Sequence, residues 1–264
     1  MKTTLPFVKY QGAGNDFVIV NHWSGPVLTD LSAATIARLC DRRFGIGADG
    51  LMLLERDPDY DFRMVYYNAD GYPSTMCGNG GRCIVAFAHR LGLIGAQTTF
   101  RAVDGPHRAH LTQPAWVELE MTPVTAVTPV LDGHFLDTGS PHYVAQVARL
   151  DAIDVDEQGR TLRQRPEFAP GGTNVNFVTG TADSGLTIAT YERGVEAETL
   201  ACGTGVTAAA LVAAQATGRQ GDFTIPVTAK GGALAVRLHY DGTQFSQIWL
   251  CGPAVFVFAG EVEV

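Results

Sequence analysis

Two cysteines, Cys77 and Cys202, each open a C-G-polar-G string, and each string runs into small apolar residues: "MCGNGGRCIVAFAHRLG" at the first and "ACGTGVTAAALVAAQATG" at the second. The shift from Cys77 to Cys202 also works elsewhere in the chain. It carries Gly14-Asn15-Asp16 onto Gly139-Ser140-Pro141, each followed by an aromatic and valine stretch. It carries Gly47-Ala48-Asp49 onto Gly172-Thr173-Asn174, each leading into an apolar run, and Asn68 onto Arg193. A repeat this long in a chain of 264 residues implies two domain-sized halves, because solenoid units are far shorter.

Each half reads in the same order. Alternating or apolar runs predict strands at 15–20 and 142–148, at 51–55 and 175–179, and at 62–67 and 186–191. A polar loop, the cysteine and a helix follow, at about 78–91 and 203–217, and strands such as "AWVELEM" and "ALAVRLHY" close the halves. The Pro-rich stretch "MTPVTAVTPV" marks the boundary. The expected domains are 1–122 and 123–252, with a C-terminal strand at 253–264 as a candidate to return to the first half. The expected fold is α/β (α+β): two pseudo-symmetric halves, each a mainly antiparallel sheet curled around one central helix. The second of these helices is apolar nearly all round, which fits enclosure.

Composition narrows the function. A formal charge of −8 without a basic patch argues against a nucleic-acid partner. The longest small-apolar stretch is too short for a membrane span, and the opening residues lack the apolar core of a secretory leader, so a cytoplasmic protein is expected. Five scattered cysteines with no C-x-x-C pair predict neither a disulfide framework nor a zinc site. His107 and His110 flank a turn with no ligand-spaced partner, so no metal is expected. Cys40, Cys83 and Cys251 sit among apolar residues and read as core. "GIGADG" matches a dinucleotide fingerprint by letter only, since a helix-like run precedes it and a strand follows.

Cys77 and Cys202 read differently. A helix N-terminus presents unpaired N–H groups and a partial positive charge, which bind an anion and stabilise a thiolate. If the halves face each other, two thiols flank one small carboxylate. Inverting a stereocentre beside a carboxylate needs a base on one face and an acid on the other, and a thiolate/thiol pair serves both directions. Racemases that use pyridoxal phosphate hold it on a lysine, but Lys2, Lys9 and Lys230 occupy no convincing site, so no cofactor is expected.

"GAGNDFVIV", "DRRFGIGADG", "NADGYPSTMCGNGGRC", "GSPHYV" and "YERGVEAETLACGTG" together resemble the motif set of the diaminopimelate epimerase family. The resemblance implies a cofactor-independent epimerase that interconverts LL- and meso-2,6-diaminopimelate, in lysine and peptidoglycan precursor synthesis, commonly as a homodimer. By position it makes Cys77 and Cys202 the acid/base pair, with Gly78, Asn79, Gly203 and Thr204 giving amides to the reacting carboxylate. It makes Asn15, Asn68, Asn174, Glu192 and Arg193 binders of the substrate's amino groups and distal carboxylate. One form of the family has glutamine where this chain has Gly50 and asparagine where it has Ser140. Two other readings stand beside it: a proline or hydroxyproline racemase-like enzyme, which typically shows histidine at the place of Asn79, and a non-catalytic small-molecule binding protein of the same fold. Asn68 and Asn174 also suit turns, and Glu192-Arg193 also suits an exposed pair at a strand end.

Overall fold

Residues 4–12 alternate in polarity and form strand β1 (Thr4–Gly12), with Leu5 and Phe7 turned inward. A bulge between Lys9 and Tyr10 then shifts the phase, so that Lys9 and Tyr10 are both buried. The computed structural model describes residues 4–74 and 76–264, and its contacts divide the chain into two units, Met1–Leu119 with Pro253–Val264, and Glu120–Gly252.

In the first unit β1 is followed by β2 (Asn15–Asn21), α1 (Ala33–Cys40), β3 (Gly50–Glu55), β4 (Phe62–Asn68), α2 (Gly78–Arg90), β5 (Gln97–Ala102), β6 (Gly105–Gln113) and β7 (Trp116–Glu120). In the second unit come β8 (Thr128–Val130), β9 (Gly133–Asp137), β10 (Pro141–Gln146), α3 (Val155–Arg163), β11 (Asn174–Thr181), β12 (Gly185–Glu192), β13 (Ala197–Thr199), α4 (Gly203–Ala216), β14 (Gly221–Ala229), β15 (Gly232–Tyr240) and β16 (Phe245–Pro253). The last strand, β17 (Val255–Glu263), pairs antiparallel with β1.

The two units repeat one plan. In the first, β2 lies parallel to β3 (Phe17 opposite Gly50) and β4 parallel to β5 (Phe62 opposite Phe100). In the second, β10 lies parallel to β11 (His142 opposite Asn174) and β12 parallel to β14 (Leu186 opposite Val227). Parallel neighbours need a crossover, and in each case a helix supplies it: α1 and α2 in one unit, α3 and α4 in the other. The remaining pairings, such as β1–β2, β3–β4, β9–β10 and β11–β12, are antiparallel. The fold is mixed α/β with two pseudo-symmetric halves.

Helices cover both faces of the first sheet, which explains why β2 and β3 read as continuous apolar runs. Val18, Val20, Leu51 and Leu53 pack with Ile36 and Leu39 of α1. Phe17 and Met52 point the other way, toward Gly80 of α2. In the second unit Tyr143, Val175 and Phe177 pack toward Val155 and Leu162 of α3. His142 and Asn176 lie on the opposite face, against Gly205 of α4. Both central helices are enclosed: Asn79 through Ala88 are buried in α2, as are Gly205 through Leu211 in α4. Among the described residues no helix is long and apolar enough to cross a membrane.

The second glycine of each C-G-polar-G string is therefore a packing residue. A Cβ on Gly205 would sit 2.3 Å from Asn176 Oδ1, so only a bare backbone lets α4 approach β11 this closely. On Gly80 the nearest atom would be Met52 Sδ at 3.2 Å, and a methionine side chain can give way. Gly205→Ala is expected to destabilise the protein by about 1–3 kcal/mol, the usual range for overpacking. Gly80→Ala is expected to cost less than half of that. Thermal unfolding of the two variants beside the parent checks the order, and equal melting temperatures would contradict it.

Candidate active site

Among the described residues four α-helices begin, and they begin in two ways. Ser32 caps α1 by accepting from the Thr35 amide, and Asp154 caps α3 by accepting from the Glu157 amide at 2.9 Å. The residues at the cap positions of α2 and α4 are Cys77 and Cys202, both extended (φ −109°, ψ 120° and φ −103°, ψ 111°), and neither makes a side-chain cap bond. The backbone turns the same way at both, with Gly81 N–H bonded to Cys77 O at 2.8 Å and Val206 N–H to Cys202 O at 2.9 Å. The first amides of each helix thus have no carboxylate or hydroxyl cap from their own cap residue, which suits an incoming anion.

The surroundings of the two sulfurs differ. Cys77, half-buried at its loop, has its Sγ 3.6 Å from Asn15 Oδ1. Asn15 Nδ2 donates to Asp49 Oδ2 at 2.5 Å, and Asn79 Nδ2 approaches Asn15 Oδ1 at 3.4 Å. Asn79 Oδ1 in turn accepts from Arg82 Nη2 at 2.9 Å. Arg82 is wholly buried one turn into α2, where it also reaches the Gly78 and Pro253 carbonyls. Asp49 belongs to a charged cluster in which Arg42 bridges it to Asp16, and Lys9 pairs with Asp16 at 2.8 Å. These cations, through hydrogen bonds as well as charge, hold the Asp16 carboxyl down at about 2 despite its partial burial.

Behind Cys202 stand a threonine, a histidine and an asparagine. The Cys202 Sγ lies 3.4 Å from Thr204 Oγ1, which lies 2.8 Å from His142 Nε2. His142 Nδ1 faces Asn176 Nδ2 at 3.1 Å, and Asn176 Oδ1 accepts from Thr190 Oγ1 at 3.0 Å. Burial, aided by the Arg193 charge, pushes His142 down to about 3, so the imidazole is neutral throughout the physiological range.

Of the other expected binders, Asn68 ends β4 opposite Gly50, and its backbone closes a turn with Gly71 and Tyr72. Glu192 ends β12, half-buried. Arg193 is exposed, and among the described residues its guanidinium makes no hydrogen bond or ion pair within the protein. Asn174 is buried with its amide in use: Nδ2 donates to Ser140 Oγ and the Pro141 carbonyl, and Oδ1 accepts from the Arg193 backbone at 2.9 Å. Asn174 therefore braces Arg193. Gly50 has no room for a side chain, because a Cβ there would lie 2.5 Å from both the Tyr66 ring and the Tyr67 carbonyl oxygen. Sequence reasoning missed Asp49, Arg82, His142 and Asn176. A charged residue between the opening glycines of α2 and the apolar run 83–88 was the available signal for Arg82.

Lys9 and Lys230 are both engaged in ion pairs, with Asp16 and Glu198, and Lys2 lies outside the described residues. Among the described residues no group of three or more His, Cys, Asp or Glu is placed to hold a metal ion.

The family model for diaminopimelate epimerase matches residues 7–127 and 134–257. A curated diaminopimelate epimerase from Flavobacterium psychrophilum is 48% identical over 250 residues, covering 95% of this chain and 97% of that protein. The chain belongs to the diaminopimelate epimerase family. A second member, the diaminopimelate epimerase of Chlorobaculum tepidum, is 44% identical, with 96% and 99% covered. The fold also matches the crystal structure of a hydroxyproline epimerase from Agrobacterium vitis with bound trans-4-hydroxy-L-proline, at TM-score 0.69 and 16% identity over 100% of this chain and 94% of that one.

The remaining cysteines of this family member are placed for packing. Burial pushes the Cys83 thiol up to about 12 and the Cys40 thiol up to about 11, and Cys251 is buried against the Trp249 carbonyl. Raised values keep Cys83 and Cys40 as unreactive thiols at neutral pH. Brief iodoacetamide treatment of the native protein is expected to modify Cys77 and Cys202 and to spare the other three until denaturant is added. Peptide mass spectrometry reads the result, and early modification of Cys83 would contradict it.

Proposed function

We propose that this chain is a diaminopimelate epimerase that inverts one α-carbon of LL-2,6-diaminopimelate to give the meso form, and the reverse, with Cys77 and Cys202 as the acid/base pair. The observation that carries this reading is the pair of cysteines at the starts of two enclosed helices, neither using its side chain to cap its own helix, in a chain that belongs to the epimerase family. An isomerase of this kind needs no pyridoxal phosphate.

The chemistry follows from the residues. The substrate's reacting carboxylate accepts from amides of Gly78, Asn79, Gly203 and Thr204, where helix-end charge stabilises the added negative charge of the carbanion. One cysteine, as thiolate, removes the α-proton, and the other, as thiol, delivers a proton to the opposite face. Arg193 binds the distal carboxylate, for which its planar guanidinium is suited. Asn15, Asn68 and Glu192 bind the ammonium groups and the remaining polar atoms. Asn174 contributes by holding the Arg193 backbone. We place the enzyme in the cytoplasm and as a homodimer, on the family resemblance.

A proline or hydroxyproline racemase-like activity is disfavoured by Asn79 at the position where that group shows histidine, and by Arg193, which suits a substrate with a second charged end. A silent binding protein would need neither cysteine. Incubation with LL-diaminopimelate and, separately, with proline in heavy water distinguishes the three readings. Deuterium is expected at the α-carbon of diaminopimelate alone.

Cys77→Ala and Cys202→Ala are each expected to abolish epimerisation, while Cys83→Ala retains turnover near that of the parent. Ordinary activity in Cys202→Ala would overturn the assignment of the pair. Arg193→Ala is expected to weaken productive binding by about 2–5 kcal/mol, the usual effect of truncating a desolvated charge pair. Steady-state kinetics check this, and unchanged kcat/KM would remove Arg193 as an anchor.

A further inference from the structure

The hydrogen bonds behind the two cysteines run in opposite directions, and those directions can be read from groups that have only one role. In the first unit Asp49 offers a carboxylate, which accepts only, and Arg82 offers a guanidinium, which donates only. Asn15 Nδ2 lies 2.5 Å from the Asp49 carboxylate, so the Asn15 amide is oriented with Oδ1 toward Cys77. Asn79 Oδ1 lies 2.9 Å from Arg82, so the Asn79 amide is oriented with Nδ2 toward the same Asn15 oxygen. The atom that Asn15 turns to Cys77 is therefore an acceptor. A thiol donates to it, whereas a thiolate would meet its negative end.

In the second unit Asn176 sets the directions. Its Nδ2 donates to the Tyr143 carbonyl at 3.0 Å, which fixes the amide, and its second N–H points to His142 Nδ1 at 3.1 Å. Nδ1 is then the acceptor nitrogen of a neutral imidazole, and Nε2 carries the proton. Nε2–H donates to Thr204 Oγ1 at 2.8 Å, which leaves the threonine hydroxyl proton to point at Cys202 Sγ, 3.4 Å away. The group offered to Cys202 is a donor, and a thiolate accepts from it. Burial keeps His142 neutral, and Arg193 is the charged group acting on it. On the Cys77 side Asp49 and Arg82 stand at one remove, through Asn15 and Asn79, and the buried Cys83 thiol is near enough to interact with Cys77.

We infer that the free enzyme rests with Cys77 as thiol and Cys202 as thiolate, and that Thr204, oriented by His142 and Asn176, is the positioning residue that holds this state. The inference rests on the assignment of the two cysteines as the acid/base pair. In turnover from this state Cys202 accepts the α-proton and becomes a thiol, while Cys77 gives its proton to the opposite face and becomes a thiolate. The number of protons on the enzyme is unchanged, and the charge has moved from one sulfur to the other. The free enzyme released at that point differs from the resting form. It regains that form by losing a proton from Cys202 and gaining one on Cys77, or by converting a molecule in the other direction.

The test needs no substrate. The rate of iodoacetamide modification of each cysteine is followed across pH in the intact wild-type protein by peptide mass spectrometry. The midpoint of each profile reports ionisation, whatever absolute rate burial allows. Cys202 is expected to ionise at lower pH than Cys77, although Cys202 is the more buried of the two. Thr204→Val, which removes the hydroxyl, is expected to raise the Cys202 midpoint by about one pH unit, the size of one hydrogen bond to a charged group. It should leave the Cys77 midpoint in place, and Thr204→Ser should restore the Cys202 value. A Cys77 midpoint at or below that of Cys202, or a Cys202 midpoint unmoved in Thr204→Val, overturns the inference. The wild-type order stands as a test even if a variant folds poorly. Failure here leaves the paired-cysteine reading intact, since that reading is judged on the activity of the cysteine variants.

Discussion

A helix walled in by sheet has only its ends through which to meet anything outside the core, and both central helices of this protein are so enclosed. Asn79 through Ala88 and Gly205 through Leu211 are buried. The partial charge at each N-terminus then has to be met by something at that end. In α1 and α3, at the periphery, a serine and an aspartate meet it. In α2 and α4 the side chain at that position is a thiol that makes no cap bond. The stability forgone at two uncapped ends is about 1 kcal/mol each by ordinary experience with N-caps. A bound carboxylate is the kind of group that would recover it.

Much of this could be read from the chain alone. The repeat was visible because the C-G-polar-G string must serve the same geometry twice: a turn into the helix at the cysteine, then a residue with no side chain where the helix meets the sheet. β2 and β3 were readable as strands from their apolar runs. What was not readable was the second layer behind the sulfurs. Asp49, Arg82 and His142 sit inside the motif strings, but the strings do not say that they touch Asn15, Asn79 and Thr204, nor that Asn176 holds His142. Asn174 shows the converse. The family resemblance gives it the part of a ligand-binding amide, and in the structure its donors are engaged by Ser140 and Pro141 and its oxygen by the Arg193 backbone.

The two units also show how a duplicated frame can keep its backbone and change its chemistry. The cap residues share their dihedral angles to within about ten degrees, as the values given for Cys77 and Cys202 show. Behind them, one unit has an Asn–Asp–Arg set with formal charges and the other a Thr–His–Asn set without. Backbone geometry is tied to the packing of the whole unit, whereas the polar groups behind each sulfur need only satisfy one another.

The closeness of Gly50 to Tyr66 has a consequence for descent. A Cβ at position 50 would strike both the Tyr66 ring and the Tyr67 carbonyl oxygen at 2.5 Å, so ring and side chain exclude each other at the present strand spacing. Between this arrangement and one with a long amide at position 50, the steps have a direction. The side chain at 50 has to be lost before the tyrosine can settle where it now lies, and on the way back the tyrosine has to leave first. A glutamine grafted at 50 into this protein meets a filled space.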